Sequence, residues 1–314
     1  MSAPRLEAID LPLGPKQRGK VRDMWDVDDR RVIVTTDRQS AFDVVLGTVP
    51  YKGQVLTAMA AWWFRNTQDI VPNHLLSVPD PNVMVVRRAR VWPVEMVIRG
   101  YITGVTTTAL WYAYSRGERE IYGLRFPEGL RKNERLPEPV ITPTTKALEG
   151  GHDEKLTREE ILTRGIVPAD VYEAMEDATR RLFARGQELA AARGFILVDT
   201  KYEFGDVAGS LTLIDEIHTV DSSRFWRAGT YDERLRAGDE PDTFDKEFLR
   251  RWYVDRGYRG TGQPPPMPDE LAQRMSRLYI EAYEGVTGER FRADDEPPEA
   301  RVTRNLRAAG VLPA

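Results

Sequence analysis

Cysteine is absent from this chain of 314 residues, and its absence removes several classes of chemistry. Without cysteine the chain can form no disulfide, no thiolate nucleophile and no thiolate metal site. Histidine is scarce too, and His74, His152 and His218 are too scattered to indicate a zinc site. No apolar run approaches the roughly 20 residues of a membrane-spanning helix. We therefore expect neither sulfur chemistry nor a membrane as a partner.

The charge balance is slightly acidic. The chain has 45 Lys and Arg against 49 Asp and Glu, which gives a formal net charge of −4 at pH 7. This balance argues against nucleic acid as a partner, although a local basic pocket for phosphates stays compatible with it. The first seven residues lack the apolar core of a signal peptide. A cytoplasmic location is therefore expected.

What the sequence does contain is charge inside segments that otherwise look like strands. The first run, FILVDTKYEFG at 195–205, places Asp199, Lys201 and Glu203 at alternate positions. Because side chains alternate between the faces of a strand, these three charges are predicted to share one face. Carboxylates beside a lysine on a rigid sheet favour a magnesium–nucleotide site. The solvated face of an antiparallel hairpin explains the triplet about equally well.

The second run is LTLIDEIHTVDSSRFW at 211–226, which follows a GDVAG stretch. That stretch looks like a hairpin loop, and we expect a five-residue loop that pairs Gly205 with Leu211. This register would place Lys201 opposite Asp215 and keep Asp215 on the charged face, whereas a four-residue loop would turn it to the apolar face. The acidic pair and the DSSRFW segment are too specific in polar and aromatic groups for a generic surface strand.

Periodicity elsewhere predicts strands in the N-terminal part and helices towards the C-terminus. Strands are expected at 21–36, 82–89 and 91–98, and helices at 53–66, 106–114, from Thr157, and at 168–193, 244–256 and 268–287. Segment 125–139 reads as a loop, and the tail beyond the acidic, proline-rich segment 294–298 is expected to pack loosely. The aromatic side chains of Trp252, Tyr253 and Tyr258 would form either a homo-oligomer interface or a small core.

Several motifs, in order along the chain, resemble those of one enzyme family. The segment 213–226 closely resembles a signature of the SAICAR synthetases, the phosphoribosylaminoimidazole-succinocarboxamide synthases of purine biosynthesis. Further motifs that resemble this family are GKVRD at 19–23, TDRQSAFD at 36–43, IRGYITG at 98–104 and ITPTTKALEGGHDE at 141–154. The resemblance runs from about Gly19 to about Trp252 and so covers most of the chain.

The resemblance implies an α+β fold of two to three lobes, related to ATP-grasp enzymes and with the nucleotide between lobes. Helix and strand mixing alone predicts only an α+β or α/β protein of two lobes. We expect a β-rich nucleotide-binding lobe at 1–95, an α+β lobe with the Mg-ATP and substrate site at 96–235, and a helical part at 236–314. Whether the chain forms a homo-oligomer is left open.

The activity that the resemblance implies is an ATP-dependent ligation. L-Aspartate is joined to 5-amino-1-(5-phosphoribosyl)imidazole-4-carboxylate (CAIR), and ATP is cleaved to ADP and phosphate through an acyl phosphate. Such a reaction needs no protein nucleophile, which agrees with a chain that lacks cysteine. ATP and Mg²⁺ are the implied cofactors, and small molecules are the implied partners.

Residues for the nucleotide follow from the matching motifs. Lys201 would offset negative charge during phosphoryl transfer, and Glu203 and Asp215 would bind Mg²⁺. Lys20 would reach the ATP phosphates, and Glu95 would contact the ribose from a hinge at 83–95. The full set implied for ATP is Lys20, Arg22, Glu95, Lys146, Lys201, Glu203 and Asp215.

Residues for the substrates follow in the same way. Arg99 and Arg224 are planar forks suited to carboxylate or phosphate, and together with Lys201 and Asp199 they form the implied catalytic set. Asp199 would orient Lys201, contact substrate or serve the structure only. The implied substrate-binding set is Asp37, Ser40, Asp43, Arg99, Lys146, Asp153, Asp221, Ser223 and Arg224, with Lys146 and Asp153 on a closing loop.

One position departs from the family's pattern, and two other functions remain open. Val105 follows Gly104 where serine is common, so a hydroxyl at a substrate anion is missing unless Thr106 supplies it. The first alternative is an ATP-dependent small-molecule kinase on a related fold, whose ATP turnover would not need aspartate. The second is a nucleotide-binding protein without catalysis, which would be expected to have lost residues such as Lys201.

Overall fold

The computed structural model describes residues 3–42, 44–145, 154–244 and 246–313. The strands in these ranges are β1 (Lys16–Arg18), β2 (Arg22–Val27), β3 (Arg30–Thr35), β4 (Arg38–Ala41), β5 (Val44–Thr48), β6 (Leu75–Asp80), β7 (Val83–Arg87), β8 (Arg90–Ile102), β9 (Glu120–Ile121), β10 (Leu124–Arg125), β11 (Glu134–Ile141), β12 (Thr144–Thr145), β13 (Phe195–Val207), β14 (Ser210–Ile214) and β15 (Ser223–Arg227). The helices are α1 (Lys52–Thr67), α2 (Leu110–Tyr114), α3 (Arg158–Thr163), α4 (Ala169–Ala191), α5 (Ala228–Ala237), α6 (Glu247–Val254), α7 (Asp269–Thr287) and α8 (Pro298–Ala308).

The N-terminal sheet is antiparallel throughout, with strand order β1-β2-β3-β7-β6. Its middle strand is apolar on both faces, as the run Val32-Ile33-Val34 requires. Ile33 joins the main core with helix α1, whereas Val32 and Val34 pack with Val302 and Leu306 of α8 on the other face. Helices therefore cover both faces of this sheet.

The C-terminal tail is tightly packed, so the expectation of a loose tail is wrong. Arg301 of α8 is fully buried, and its Nε lies 3.1 Å from Oδ2 of the equally buried Asp80. Its Nη2 also donates to the side chain of Asn82. Arg301, Val302 and Leu306 form the buried side of α8. Because one of the three is charged, apolar periodicity alone does not predict this helix.

The central sheet carries strand order β11-β8-β13-β14, with β12 paired to β8 and β15 paired to β13. The two long middle strands, β8 and β13, are antiparallel neighbours of 13 residues each. Tyr202 and Phe204 lie on the buried face of β13, in one apolar cluster with Phe183 of α4. The odd-numbered residues from Asp199 onwards lie on the opposite face, as the alternation predicts.

The hairpin between β13 and β14 is shorter than expected. Ala208 and Gly209 alone form its turn, with φ of 52° and 85°, the signs that a type I′ turn requires. Gly205 therefore pairs with Thr212, and the predicted five-residue loop and its register are wrong. Gly205 serves packing instead, because a Cβ there would lie 2.8 Å from the Cβ of Ala89.

Most other predicted elements are confirmed, including the helices at 53–66, 168–193 and 268–287 and the capping box at Thr157. Helix α2 begins only at Leu110, and the segment read as a loop contains most of strand β11. Strand β11 tolerates its prolines because it lies at the sheet edge and loses register between Arg135 and Val140.

The aromatic residues near α6 form part of the protein core. Tyr253 and Tyr258 are buried in the main apolar cluster, and Trp252 packs against it, so the core alternative agrees with the structure. The predicted boundary at residue 95 lies within β8. In the four described ranges, every helix falls short of the length and apolar character that a transmembrane span requires.

Candidate active site

A row of three charged side chains crosses the middle of the central sheet. Asp199 of β13 pairs with Arg99 of β8 on one side and with Arg224 of β15 on the other. Directly paired residues of antiparallel strands point to the same face, so the three side chains meet there. Asp199 Oδ2 lies 2.7 Å from Nη1 of Arg224 and 3.5 Å from Nη1 of Arg99.

Both guanidinium groups are held by further contacts. Arg99 Nε donates to Oγ1 of Thr142 at 2.8 Å, and its Nη2 donates to the carbonyl of Thr108 at 3.1 Å. Arg224 lies against Gly104, where a Cβ would come within 3.2 Å of Nη2. Two guanidinium groups approach the carboxylate of Asp199, and their planar forks suit an anionic ligand.

A second polar cluster lies further along the same face. Lys201 Nζ is 2.6 Å from Oε1 of Glu95 and 2.6 Å from Oε1 of Glu203. Thr144 of β12 donates to the other oxygen of Glu95 at 3.1 Å. Burial alone would lower the pKa of Lys201, but the Glu203 and Glu95 carboxylates outweigh it and raise that pKa well above its usual value. The lysine is therefore a permanent cation.

Asp215 reaches this polar face although its register does not place it there. The strand ends at Ile214, and Asp215 has a φ of 68°, which breaks the alternation. Arg22 forms an ion pair with Asp215 through Nη1 and lies 2.9 Å from Oε2 of Glu216 through Nη2. Burial lowers the pKa of Arg22, but these two carboxylates outweigh that effect and raise it. The predicted site does not include Glu216, although its position directly after Asp215 could have indicated that it also contacts Arg22.

The acids near Lys201 offer a partial set of metal ligands. In the described residues no group of three or more His, Cys, Asp or Glu could hold a metal ion by itself. Glu203 contacts Lys201 at 2.6 Å, and Asp215 forms an ion pair with Arg22. Two carboxylates fit Mg²⁺, which commonly takes its remaining ligands from phosphate oxygens and water.

Asp37 and Ser223, predicted to bind substrate, contact other parts of the protein. Asp37 accepts hydrogen bonds from the backbone amides of Leu6 at 2.7 Å and Gly53 at 2.8 Å. The Ser223 hydroxyl lies 2.8 Å from that of Thr200, on the face opposite Asp199. Both side chains therefore fix chain segments around the polar face in this structure.

Asp221 lies in a buried polar cluster. Its Oδ2 is 2.8 Å from Nζ of Lys52 and 3.0 Å from Nζ of Lys246, and its Oδ1 accepts from Tyr279 at 3.1 Å. The side chain is only 3% exposed, so its carboxylate is enclosed by these partners. Burial raises the pKa of Asp221, but the two lysines outweigh it and hold that pKa below its usual value. The cluster joins the starts of α1 and α6 to the segment that carries Arg224.

The remaining predicted residues fall into two groups. Lys20 is exposed between β1 and β2, and Ser40 is buried in β4. Three others lie outside the described residues, namely Asp43, Lys146 and Asp153. The hinge at 83–95 and the ribose contact of Glu95 stay predictions.

The comparisons with known proteins identify the family of the chain. The family model described as SAICAR synthetase matches residues 15–265. The chain belongs to the SAICAR synthetase family. It is 51% identical to the phosphoribosylaminoimidazole-succinocarboxamide synthase of Legionella pneumophila strain Lens, over 93% of this chain and 94% of that protein. It is 50% identical to a putative phosphoribosylaminoimidazole-succinocarboxamide synthase 2 of Agrobacterium fabrum, over 96% of each chain.

A solved structure shows the same architecture. The SAICAR synthase of Saccharomyces cerevisiae complexed with SAICAR superposes with a TM-score of 0.78 at 31% identity, over 92% of this chain and all of that one. The predicted family, the α+β fold and the enzyme class of the chain, a ligase of purine biosynthesis, are therefore confirmed.

Proposed function

We propose that this enzyme joins CAIR to L-aspartate on the polar face of β8, β13 and β15, by way of an acyl phosphate. The observation that carries the proposal is the pair of arginines, Arg99 and Arg224, on the single carboxylate of Asp199. The next cluster along the same face, around Lys201, supplies the charge that phosphoryl transfer requires. One face thus offers an anion site beside a phosphoryl-transfer site.

The proposed reaction has two steps that balance. In the first step, a carboxylate oxygen of CAIR attacks the γ-phosphorus of ATP, the bond to the β,γ-bridging oxygen breaks, and ADP leaves. In the second step, the amine of aspartate attacks the acyl carbon, phosphate leaves with the original carboxylate oxygen, and the nitrogen loses a proton. The amide product is SAICAR. The protein orients three anionic substrates and excludes water, and no side chain forms a covalent bond.

The nucleotide end is assigned to Lys201, Arg22 and Lys20. Lys201 neutralises charge on the transferred group, because its raised pKa keeps it protonated. Glu203 and Asp215 would hold Mg²⁺, which would neutralise negative charge on the phosphate groups of ATP. In this structure, Lys201 forms an ion pair with Glu203 and Arg22 forms one with Asp215. ATP would lie between the N-terminal and central sheets, as in ATP-grasp enzymes.

The substrate end is assigned to Arg99 and Arg224, with Asp199 as a positioning residue that fixes both guanidinium groups. Ser40 lies on β4, and its contact with CAIR stays part of the proposal together with those of Asp43, Lys146 and Asp153. Asp37, Asp221 and Ser223 would act by holding the surrounding segments. Small molecules are the proposed partners, and the cytoplasm is the proposed location.

Isotope transfer tests the acyl-phosphate route. CAIR labelled with ¹⁸O in its carboxylate is incubated with ATP, Mg²⁺ and L-aspartate, and the released phosphate is analysed by mass spectrometry. The proposed route predicts one ¹⁸O atom in each phosphate released with SAICAR. Phosphate that carries only solvent or ATP oxygen would rule this route out. A stable phosphate ester that forms from ATP without aspartate, with the ¹⁸O still in the carboxylate, would favour the kinase alternative.

A further inference from the structure

Arg38 is a buried arginine outside the set of residues assigned to the site. It is the first residue of β4, and its side chain is only 2% exposed. Its Nη2 lies 2.9 Å from Oδ1 of Asp23, whose side chain is completely buried. A buried charge is costly unless its partners satisfy it, so the contacts of this guanidinium group indicate why the fold keeps it.

Besides Asp23, Arg38 donates hydrogen bonds to three backbone carbonyls. Its Nε donates to the carbonyl of Lys20 at 3.0 Å, and its Nη2 donates to that of Gly19 at 3.1 Å. Its Nη1 donates to the carbonyl of Glu7 at 2.6 Å, in the segment before β1. A planar group with several donors is needed to hold acceptors in these directions at the same time.

The turn that Arg38 holds is the link between β1 and β2, which carries Lys20. Thr36 holds the next carbonyl of this turn, because its amide and its hydroxyl both donate to the carbonyl of Val21, at 3.0 and 2.7 Å. Three consecutive carbonyls, from Gly19 to Val21, are therefore fixed by Thr36 and Arg38. The exposed side chain of Lys20 thus projects from a backbone that has little conformational freedom left.

Two neighbouring residues at the start of β2 connect this anchor to the candidate site. Alternation places Arg22 and Asp23 on opposite faces of the strand. Asp23 pairs with Arg38, whereas Arg22 pairs with Asp215. A shift of the turn would therefore displace both cations that it brings to the nucleotide end of the site, Lys20 and Arg22.

We propose that Arg38 is a positioning residue for ATP, which fixes the turn at 19–21 and so holds Lys20 where it contacts the phosphates. The inference rests on the proposed function, from which it takes only the ATP contact of Lys20. Arg38 itself is too buried to touch a substrate and acts through the turn. Such preorganisation strengthens binding, because the turn loses little further conformational entropy when the nucleotide binds.

Arg38→Lys tests this role while it keeps the positive charge beside Asp23. The dissociation constant of ATP is measured by titration calorimetry with Mg²⁺ but without CAIR and L-aspartate, and the three KM values are measured by SAICAR formation. The dissociation constant and the KM for ATP should rise about 5- to 50-fold, the range expected for a lost hydrogen bond from a charged donor. The KM values for CAIR and L-aspartate should stay unchanged. A rise of all three KM values by the same factor would overturn the proposal.

A double-mutant cycle with Lys20→Ala separates positioning from a purely structural role. If Arg38 acts by placing Lys20, Lys20→Ala should weaken ATP binding less in the Arg38→Lys background than in the wild type. Additive effects of the two changes would overturn the proposal. An unchanged dissociation constant for ATP in folded Arg38→Lys would overturn it as well.

The matched control is Arg301→Lys, because Arg301 and Asp80 form another fully buried ion pair. This variant should lose stability in urea denaturation but bind ATP as the wild type does, and an equal loss of ATP affinity in it would overturn the proposal. If Arg38→Lys does not fold, Arg38→Gln combined with Asp23→Asn removes both buried charges together. This double variant should bind ATP more weakly than the wild type, and equal binding would overturn the proposal.

The binding measurement also separates this inference from the proposed function. Weakened ATP binding in Arg38→Lys, together with a wild-type enzyme that forms no SAICAR, would refute the proposed function and support the positioning role. SAICAR formation by the wild type, together with unchanged ATP binding in Arg38→Lys, would overturn the positioning role while the proposed function stands.

Discussion

Asp199 and Arg224 are directly paired residues on neighbouring antiparallel strands, and their side chains meet at 2.7 Å. Arg99 approaches the same carboxylate from the strand on the other side, at 3.5 Å. The alignment of β8, β13 and β15 therefore assembles the anion site directly. Arg99 lies 100 residues before Asp199 in the sequence and Arg224 lies 25 residues after it, and strand pairing brings them together.

Replacing Arg224 by lysine should weaken binding of an anionic substrate without affecting ATP. Lysine keeps the charge but cannot reproduce the planar fork that contacts Asp199 and a ligand together. We expect the KM for CAIR or for aspartate to rise about tenfold or more, with the KM for ATP unchanged. The matched control is Arg227→Lys on the same strand, because the wild-type Arg227 pairs with Glu281 at the surface. Equal kinetics for the two variants would contradict this assignment.

Replacing Gly53 by alanine should destabilise the fold severely. A Cβ at this position would overlap the carbonyl oxygen of Thr35 and the side-chain amide of Asn82, both of which are held by hydrogen bonds. We expect a loss of about 3 kcal/mol or more in the free energy of unfolding, measured by urea denaturation. Gly229→Ala in helix α5 has open space around it and should be neutral or slightly stabilising. Similar free energies of unfolding for the two variants would refute the close approach of Thr35 and Asn82 to Gly53.

Arg301 should be essential for stability although no role at the site is assigned to it. Arg301 and Asp80 are both fully buried, so Arg301→Met would leave an uncompensated carboxylate inside the protein. A loss of about 3–5 kcal/mol in unfolding free energy is expected. The control is Arg304→Met on the same helix, where the arginine pairs with Glu296 at the surface. If Arg301→Met unfolded at the same urea concentration as this control, the packing of α8 would be refuted.

Two buried histidines should make the protein less stable in acid. Burial lowers the pKa of His74 and of His218 to about 3, whereas an unfolded histidine titrates near 6.5. Below pH 6.5 these histidines bind protons in the unfolded state but stay neutral in the folded state. The free energy of unfolding therefore falls as the pH drops from 6.5 towards 3. For His218→Gln, the slope of unfolding free energy against pH should be shallower by about 1.4 kcal/mol per pH unit between pH 6 and 4. Parallel curves for variant and wild type would refute this titration.

The sequence predicts most of the elements because their patterns are local. The capping box at Thr157 and the alternation of Asp199, Lys201 and Glu203 need no knowledge of the rest of the chain. The predicted hairpin register is wrong because the GDVAG stretch suggests a longer loop, whereas Gly205 belongs to β13 and its missing side chain lets Ala89 approach. In the sequence, a glycine that makes room for a residue far along the chain cannot be distinguished from a glycine that a turn requires.

The site itself is less predictable at the level of single roles. Motif resemblance placed Asp221 with the substrate, but Lys52 and Lys246 enclose its carboxylate from two distant segments. Such contacts depend on the tertiary fold and leave no local pattern.

The most direct test of the central claim is phosphate release from ATP and Mg²⁺ in the presence of CAIR, with and without L-aspartate. The wild-type enzyme should release phosphate and form SAICAR only when both co-substrates are present. Lys201→Ala and Asp215→Asn should lose at least about 100-fold in rate, because charge neutralisation at the transferred phosphoryl group is lost. Arg236→Gln, outside the site, should match the wild type. Phosphate release that does not depend on aspartate, or full activity in Lys201→Ala, would contradict the account.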